Sequence, residues 1–120
     1  MPRYSATLLE HAKYPSNRGA IETTKFVGHS SLIGNPPFIS IYVCIKEGKI
    51  VDASFESQGC GVTTAICSVT TELLKDRRLN SLPDQDEIVA ELDGVPADKL
   101  HCVQIVLQAV SNAVALMTEG

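Results

Sequence analysis

Three residues in this sequence have side chains and a spacing that could bind a metal ion. Cys60 stands between Gly59 and Gly61 in the stretch SQGCGV, and Cys102 directly follows His101 in KLHC. Each cysteine lies at the start of a predicted helix, where free backbone N–H groups favour negative charge, so both thiols are expected to ionise more easily than an ordinary cysteine. Sulfur and imidazole nitrogen are ligands of zinc and of iron-sulfur centres. The sequence therefore predicts a shared metal site at Cys60, His101 and Cys102.

Purely structural roles could also account for these residues. Cys102 falls on a predicted helical stripe with Val106, and cysteine is commonly buried, so an inert core thiol would also fit the pattern. The glycines around Cys60 are typical of a tight turn, which needs no chemistry. Cys44, on an alternating strand, and Cys67, two turns into a helix, are interpreted as structural.

Alternation and helical periodicity predict the elements that carry these residues. Residues 38–45, FISIYVCI, alternate, and the face with Ile39, Ile41, Val43 and Ile45 is expected to be the core. Residues 50–57 alternate through Val51, Ala53 and Phe55, and the glycine of KEGK between the two stretches predicts a β-hairpin. Residues 26–33 are a weaker candidate for a strand because Gly28 interrupts them. After Gly61 the apolar period changes to about 3.6 residues, which predicts a helix. Further helices are predicted over residues 4–13 and 84–92 and from about residue 102 onward.

Strands followed by consecutive helices, without βαβ alternation, indicate an α+β fold. We expect a small antiparallel three-stranded sheet with helices packed on one face. The length of 120 residues predicts a single domain over residues 1–120, with a core large enough to fold without a metal or disulfides.

The composition argues against several classes of protein. A net charge of −4 and an aromatic fraction of 5% are unlike a nucleic-acid-binding surface. The first residues lack the apolar segment of a signal peptide, and no later stretch is expected to reach the length and apolarity of a membrane span. Four cysteines without a CxxC motif are more typical of thiols or ligands than of disulfides, so a cytoplasmic protein is expected, and zinc-ribbon and thioredoxin-like sites are not.

Three stretches together resemble the IscU/NifU N-terminal family of iron-sulfur cluster assembly scaffolds. They are YSATLLEHAKYPSNRGAI near the start, DASFESQGCG at the end of the predicted hairpin and VPADKLHC before the last helix, and the resemblance spans nearly the whole chain. It implies the sheet-and-helix fold expected above and gives Cys60, His101 and Cys102 the role of metal or cluster ligands, with Cys60 and Cys102 holding a cluster. It also implies a cysteine desulfurase and recipient apo-proteins as partners.

The sequence departs from the family pattern at two positions of the expected site. Aligned with the family's loop, Phe38 stands where the first cysteine is expected and Ser40 where an aspartate is expected. The proline-rich chaperone-recognition segment is also altered and reads GVPADK, which leaves chaperone handover in doubt. Three ligands are fewer than the four that a [2Fe-2S] cluster usually takes, so the ligand count favours a single zinc or iron ion unless a partner supplies another thiolate.

Three functions compete at this point. The first is a divergent scaffold that binds a metal ion or a labile cluster. The second is a regulatory or protein-interaction module that kept the scaffold fold and lost cluster assembly. The third is a Cys-His or zinc hydrolase, which is disfavoured because no carboxylate stands as an obvious base beside the HC pair, so we expect the chain not to be an enzyme.

Overall fold

The computed structural model describes residues 4–21, 26–32 and 35–119. Its elements bear out the predicted order of a leading helix, three strands and then consecutive helices, which makes an α+β fold. A short 3-10 turn, Ala97–Lys99, leads directly into the last helix. The elements are α1 (Ala6–Lys13), β1 (Phe26–Leu32), β2 (Asn35–Lys46), β3 (Lys49–Gln58), α2 (Gly61–Leu74), α3 (Gln85–Glu91) and α4 (Leu100–Glu119).

The three strands form one antiparallel sheet in the order β1-β2-β3. The face of β2 that carries Ile39, Ile41 and Val43 is buried, as the alternation predicted, and α2 and α4 pack on the sheet. The predicted hairpin is also confirmed. Glu47 and Gly48 both have positive φ, at 55° and 75°, which is the backbone that a two-residue hairpin turn of this twist requires.

One strand departs from its predicted alternation. Val51 is predicted to lie on the same face as Ala53 and Phe55, yet it is 49% exposed, whereas the neighbouring Ile50 is fully buried. The reason is a β-bulge: Cys44 pairs with Asp52 and Ile45 pairs with Ile50, so Val51 is an extra residue with no partner across the strand pair.

Helix α2 is buried on nearly all sides. The sheet and α4 cover one part of its surface, and α1 covers the remaining face. The buried Ser68 on α2 fastens this contact: its hydroxyl lies 2.7 Å from His11 Nδ1 and accepts the Ser16 backbone N–H at 2.8 Å. Buried polar side chains on a helix are tolerated when they have hydrogen-bond partners of this kind. The N-terminal segment is therefore held against α2, the helix that Cys60 precedes.

Helix α4 packs on the sheet at Gly28, the glycine that weakened the prediction of β1. A Cβ atom at Gly28 would lie 1.8 Å from the carbonyl oxygen of Ala109 and 2.4 Å from the backbone nitrogen of Ala113. The strand therefore carries a glycine here so that the helix backbone can approach it closely.

Residues 97–116 are long and apolar enough to cross a membrane by length and composition alone. The expectation that no segment would meet these criteria is therefore wrong. In the fold, 39% of the apolar window in this segment is buried, and Val103, Val106 and Val110 on its buried face belong to the core. Packing in the core accounts for the apolar residues of such a helix.

Candidate metal-binding site

Cys60 is the N-cap residue of α2, and its side chain is exposed. Partial burial acts to raise the pKa of the Cys60 thiol, but this effect is outweighed. Hydrogen bonds from Thr63 and from the Val62 backbone N–H, together with the charge of Lys99, bring the pKa below its ordinary value. The thiol lies 3.6 Å from the Thr63 hydroxyl. The expectation of an easily ionised thiol at this turn is thus confirmed for Cys60.

The same expectation is wrong for Cys102. The helix begins at Leu100, which turns Cys102 inward, and only 2% of the residue is exposed. Burial raises the pKa of the Cys102 thiol. A hydrogen bond with Thr63 acts against this, the charge of Cys60 adds to it, and the charge of Lys99 again lowers it. Loss of solvent therefore outweighs the position of Cys102 near a helix start.

Cys60 and Cys102 nevertheless lie at one place in the fold. Both thiols interact with the Thr63 hydroxyl, and the charge of the Cys60 thiolate helps to raise the pKa of Cys102. His101 is exposed beside them, with Nε2 3.6 Å from the Cys102 sulfur. Neighbouring residues are expected to share a site only where the backbone is irregular, but His101 and Cys102 are both helical. The His101 ring instead lies beside the sulfur of Cys102, the next residue in the helix.

The described part of the chain contains no group of three or more His, Cys, Asp or Glu side chains arranged to hold a metal ion. The two thiols meet at the Thr63 hydroxyl and the imidazole approaches the Cys102 sulfur, but Cys102 itself is buried. The chemistry of the donor set suits zinc or iron, whereas its present arrangement leaves one ligand buried. A shared site at Cys60, His101 and Cys102 therefore stays a prediction.

The other two cysteines lie apart from the exposed thiol. Cys67 is fully buried in α2, and its pKa is raised well above the ordinary range by burial and by the charge of Cys102. Cys44 is partly exposed on the face of the sheet that carries no helix, opposite Asp52. Their surroundings agree with the interpretation that both are structural.

Phe38 and Ser40 lie at the open end of the hairpin. Phe38 is 39% exposed and pairs with Gln58, two residues before Cys60. The Ser40 hydroxyl lies 2.8 Å from His29 Nδ1 across the sheet.

The site residues that sequence reasoning missed are Thr63 and Lys99. The position of Thr63 three residues after a helix cap was the available signal, because that is where capping partners stand.

The model of the family described as "NifU-like N terminal domain" matches residues 3–119. The iron-sulfur cluster assembly scaffold protein IscU 1 of Archaeoglobus fulgidus is 30% identical over 116 residues, which are 92% of this chain and 74% of that protein. The scaffold protein IscU of Aquifex aeolicus is 31% identical over 98% of this chain and 78% of its own length. The iron-sulfur cluster assembly enzyme IscU of Drosophila melanogaster is 30% identical over 93% and 76%.

Solved structures agree on the fold. A NifU-like N-terminal protein from Brucella abortus has a TM-score of 0.79 at 13% identity and covers 96% of this chain and 94% of its own. A putative iron-sulfur cluster assembly scaffold protein for the SUF system from Fervidobacterium islandicum has a TM-score of 0.74 at 19% identity, over 93% and 96%. These similarities, with the sheet, the helices and the GCG and HC stretches described above, show that the chain belongs to the NifU-like N-terminal domain family, the family of the IscU iron-sulfur cluster assembly scaffolds.

Proposed function

We propose that this protein is a divergent scaffold that receives iron or zinc, or a labile iron-sulfur cluster, at Cys60, His101 and Cys102. The observation that carries the proposal is that both thiols interact with one hydroxyl, Thr63, at the place where the N-termini of α2 and α4 meet. His101 adds an exposed nitrogen donor to this pair. A structural turn would need neither the second thiol nor the imidazole there.

The two thiols have different tasks in this proposal. Cys60 is exposed with a lowered pKa, so it offers a thiolate to an incoming cation first. Cys102 is buried, so it joins only after its sulfur becomes accessible at the start of α4, next to the 3-10 turn Ala97–Lys99. Lys99 on that turn favours the thiolate form of both sulfurs. Metal binding is therefore coupled to a local rearrangement and to loss of the Cys102 proton.

Three ligands leave one coordination position open. A single zinc or iron ion is satisfied with water or a small ligand there, whereas a [2Fe-2S] cluster wants a fourth protein ligand. A cysteine desulfurase or a recipient apo-protein would be able to supply that thiolate across an interface, and we propose both as partners. Such a role depends on binding and release of cargo, not on turnover of a substrate.

Anaerobic reconstitution with iron and sulfide tests the proposal. The parent should retain iron after desalting, with visible absorption if a cluster forms. Cys60→Ala, His101→Ala and Cys102→Ala should each lose most of the retained iron. Cys44→Ala is the matched control because it removes a partly exposed thiol away from Thr63, and it should retain as much iron as the parent. Equal retention by all five proteins would overturn the assignment of these ligands.

A protein-interaction module is the second candidate, and specific observations favour it. Phe38 and Ser40 cannot replace the cysteine and aspartate of the family pattern, and the Cys102 sulfur is buried. On this alternative the chain binds a desulfurase without holding metal. A parent protein that retains neither iron nor zinc, and still forms a complex with a cysteine desulfurase in size-exclusion chromatography, would favour the module over the scaffold.

A further inference from the structure

A cavity of about 990 Å³ opens at the end of the sheet where the hairpin strands separate. Its wall combines the segment after α1 with all three strands and α4, and it does not include Cys60, His101 or Cys102. Its volume lies at the upper end of the range for small-molecule sites in proteins. Residues that line it include Arg18, Phe38, Glu56, Ser57, Gln58 and Asn112.

The backbone around Arg18 is fixed in place. The Gly19 N–H donates to the Phe55 carbonyl at 2.7 Å, and the Phe55 N–H donates to the Asn17 carbonyl at 3.0 Å, so this segment runs along the edge of β3. The Arg18 guanidinium, by contrast, makes no ion pair or hydrogen bond within the described residues, and the side chain is exposed. A firmly held backbone thus presents an unpaired cation at the cavity.

The acidic group in the wall, the Glu56 carboxylate, has a hydrogen-bond partner and keeps its negative charge. The Glu56 carboxylate accepts the Tyr42 hydroxyl, and this hydrogen bond, with burial and the charge of Glu56, raises the pKa of Tyr42. The Gln58 amide has no partner among the described residues, and the Ser57 hydroxyl behind it is buried without one. Hydrogen-bond capacity in the wall is therefore unused beside a free positive charge.

We propose that this cavity binds a small organic oxyanion, a carboxylate or a phosphate ester. The Arg18 guanidinium would take the oxyanion through its planar fork, with the Gln58 amide as a further donor. The exposed ring of Phe38 offers an apolar wall to the organic part of the ligand. The cavity wall includes Phe38 and Ser40, which stand at two positions of the family's expected site, but not Cys60, His101 or Cys102, so the proposal does not depend on metal binding at those three residues.

Two-dimensional ¹⁵N NMR titration of the full chain tests the proposal with benzoate, phenyl phosphate and neutral benzamide. Benzoate or phenyl phosphate should shift the side-chain amide signals of Gln58 and Asn112 saturably, and the stronger of the two identifies the class of anion. Benzamide, which matches benzoate without its charge, should bind at least about tenfold more weakly. Arg18→Gln should weaken anion binding about tenfold or more, the usual effect of losing a charge-assisted hydrogen bond.

Matched variants distinguish binding in this cavity from general attraction of anions to surface cations and from binding at the cysteines. Arg78→Gln removes an exposed arginine at the other end of the hairpin, where the backbone of Arg78 forms a β-bridge with Lys49, and it should leave binding unchanged. Cys60→Ala should also leave it unchanged, so failure of the metal proposal and failure of this one are distinguishable. If Arg18→Gln loses its dispersed spectrum, Phe38→Ala replaces it and should weaken phenyl phosphate more than inorganic phosphate. Shifts scattered over the surface, or equal affinity of Arg18→Gln and the parent, would overturn the proposal.

Discussion

Replacing Gly28 by alanine should destabilise the protein through a clash that the structure measures directly. The new Cβ would stand 1.8 Å from the Ala109 carbonyl oxygen, whereas ordinary contact begins at 3.4 Å. The neighbouring Ala113 nitrogen would be 2.4 Å away, so two backbone atoms of α4 block the same methyl group. Both belong to the middle of a helix, so neither can give way without moving α4.

The expected loss of stability follows from the difference between this distance and ordinary contact. Helix α4 would have to withdraw by about 1.6 Å from β1, and an overpacked contact of this kind costs about 3 kcal/mol. Urea unfolding followed by far-UV circular dichroism would detect it as a midpoint lowered by about 1 to 3 M, given the usual slopes for small domains.

Gly61→Ala is the matched control. The Cβ at Gly61 meets only the Ala12 side chain, at an ordinary 3.5 Å, and Gly61 is the first residue of α2. This variant should keep the parent's free energy of unfolding or gain up to about 1 kcal/mol from the better helix former. If Gly28→Ala unfolds within about 0.5 kcal/mol of Gly61→Ala, the close approach of α4 to β1 is refuted.

Three further predictions concern the cysteines, the N-terminal segment and the missing ligands. Iodoacetamide should modify Cys60 first, at a rate that rises with pH through a midpoint below that of an ordinary thiol, while the buried Cys67 and Cys102 react only after denaturation; mass spectrometry of the peptides would contradict this if Cys102 reacts as fast as Cys60. Ser68→Ala should lower the free energy of unfolding by about 1 to 3 kcal/mol because the Ser16 N–H loses its acceptor. Equal stability of this variant and the exposed-site control Ser81→Ala would argue against the contact between the N-terminal segment and α2. Phe38→Cys with Ser40→Asp should raise the iron and sulfide retained after reconstitution, and unchanged retention would mean that the absent ligands are not what limits the cluster.

Local patterns predicted most of the fold. The hairpin was recognisable because KEGK contains a glycine, which readily takes the left-handed backbone of such a turn. The alternation on β2 predicted which side chains would be buried. The bulge at Val51 was not recognisable. Val51 is as apolar as the buried residues around it, and its exposure depends on how β2 and β3 pair across the turn.

Tertiary contacts account for the differences at the site. The place of Cys102 near a helix start predicts easy ionisation, and the apolar stripe that it shares with Val106 turned out to matter more. Gly28 looks like an interruption of a strand, whereas its role is to admit α4. Thr63 links the two thiols across different helices, and no spacing within either stretch of sequence indicates that meeting.

Calorimetric zinc titration of the purified protein tests most directly whether Cys60, His101 and Cys102 form one metal site. We expect about one zinc ion per chain, weaker binding toward acid pH because the thiols must lose their protons, and a circular dichroism spectrum that is unchanged by a chelator. Cys60→Ala and Cys102→Ala should each lower the affinity far more than Cys44→Ala or Cys67→Ala. Equal affinities in all four variants, or no zinc binding by the parent, would contradict the shared site and leave Cys60 with a structural role in the turn.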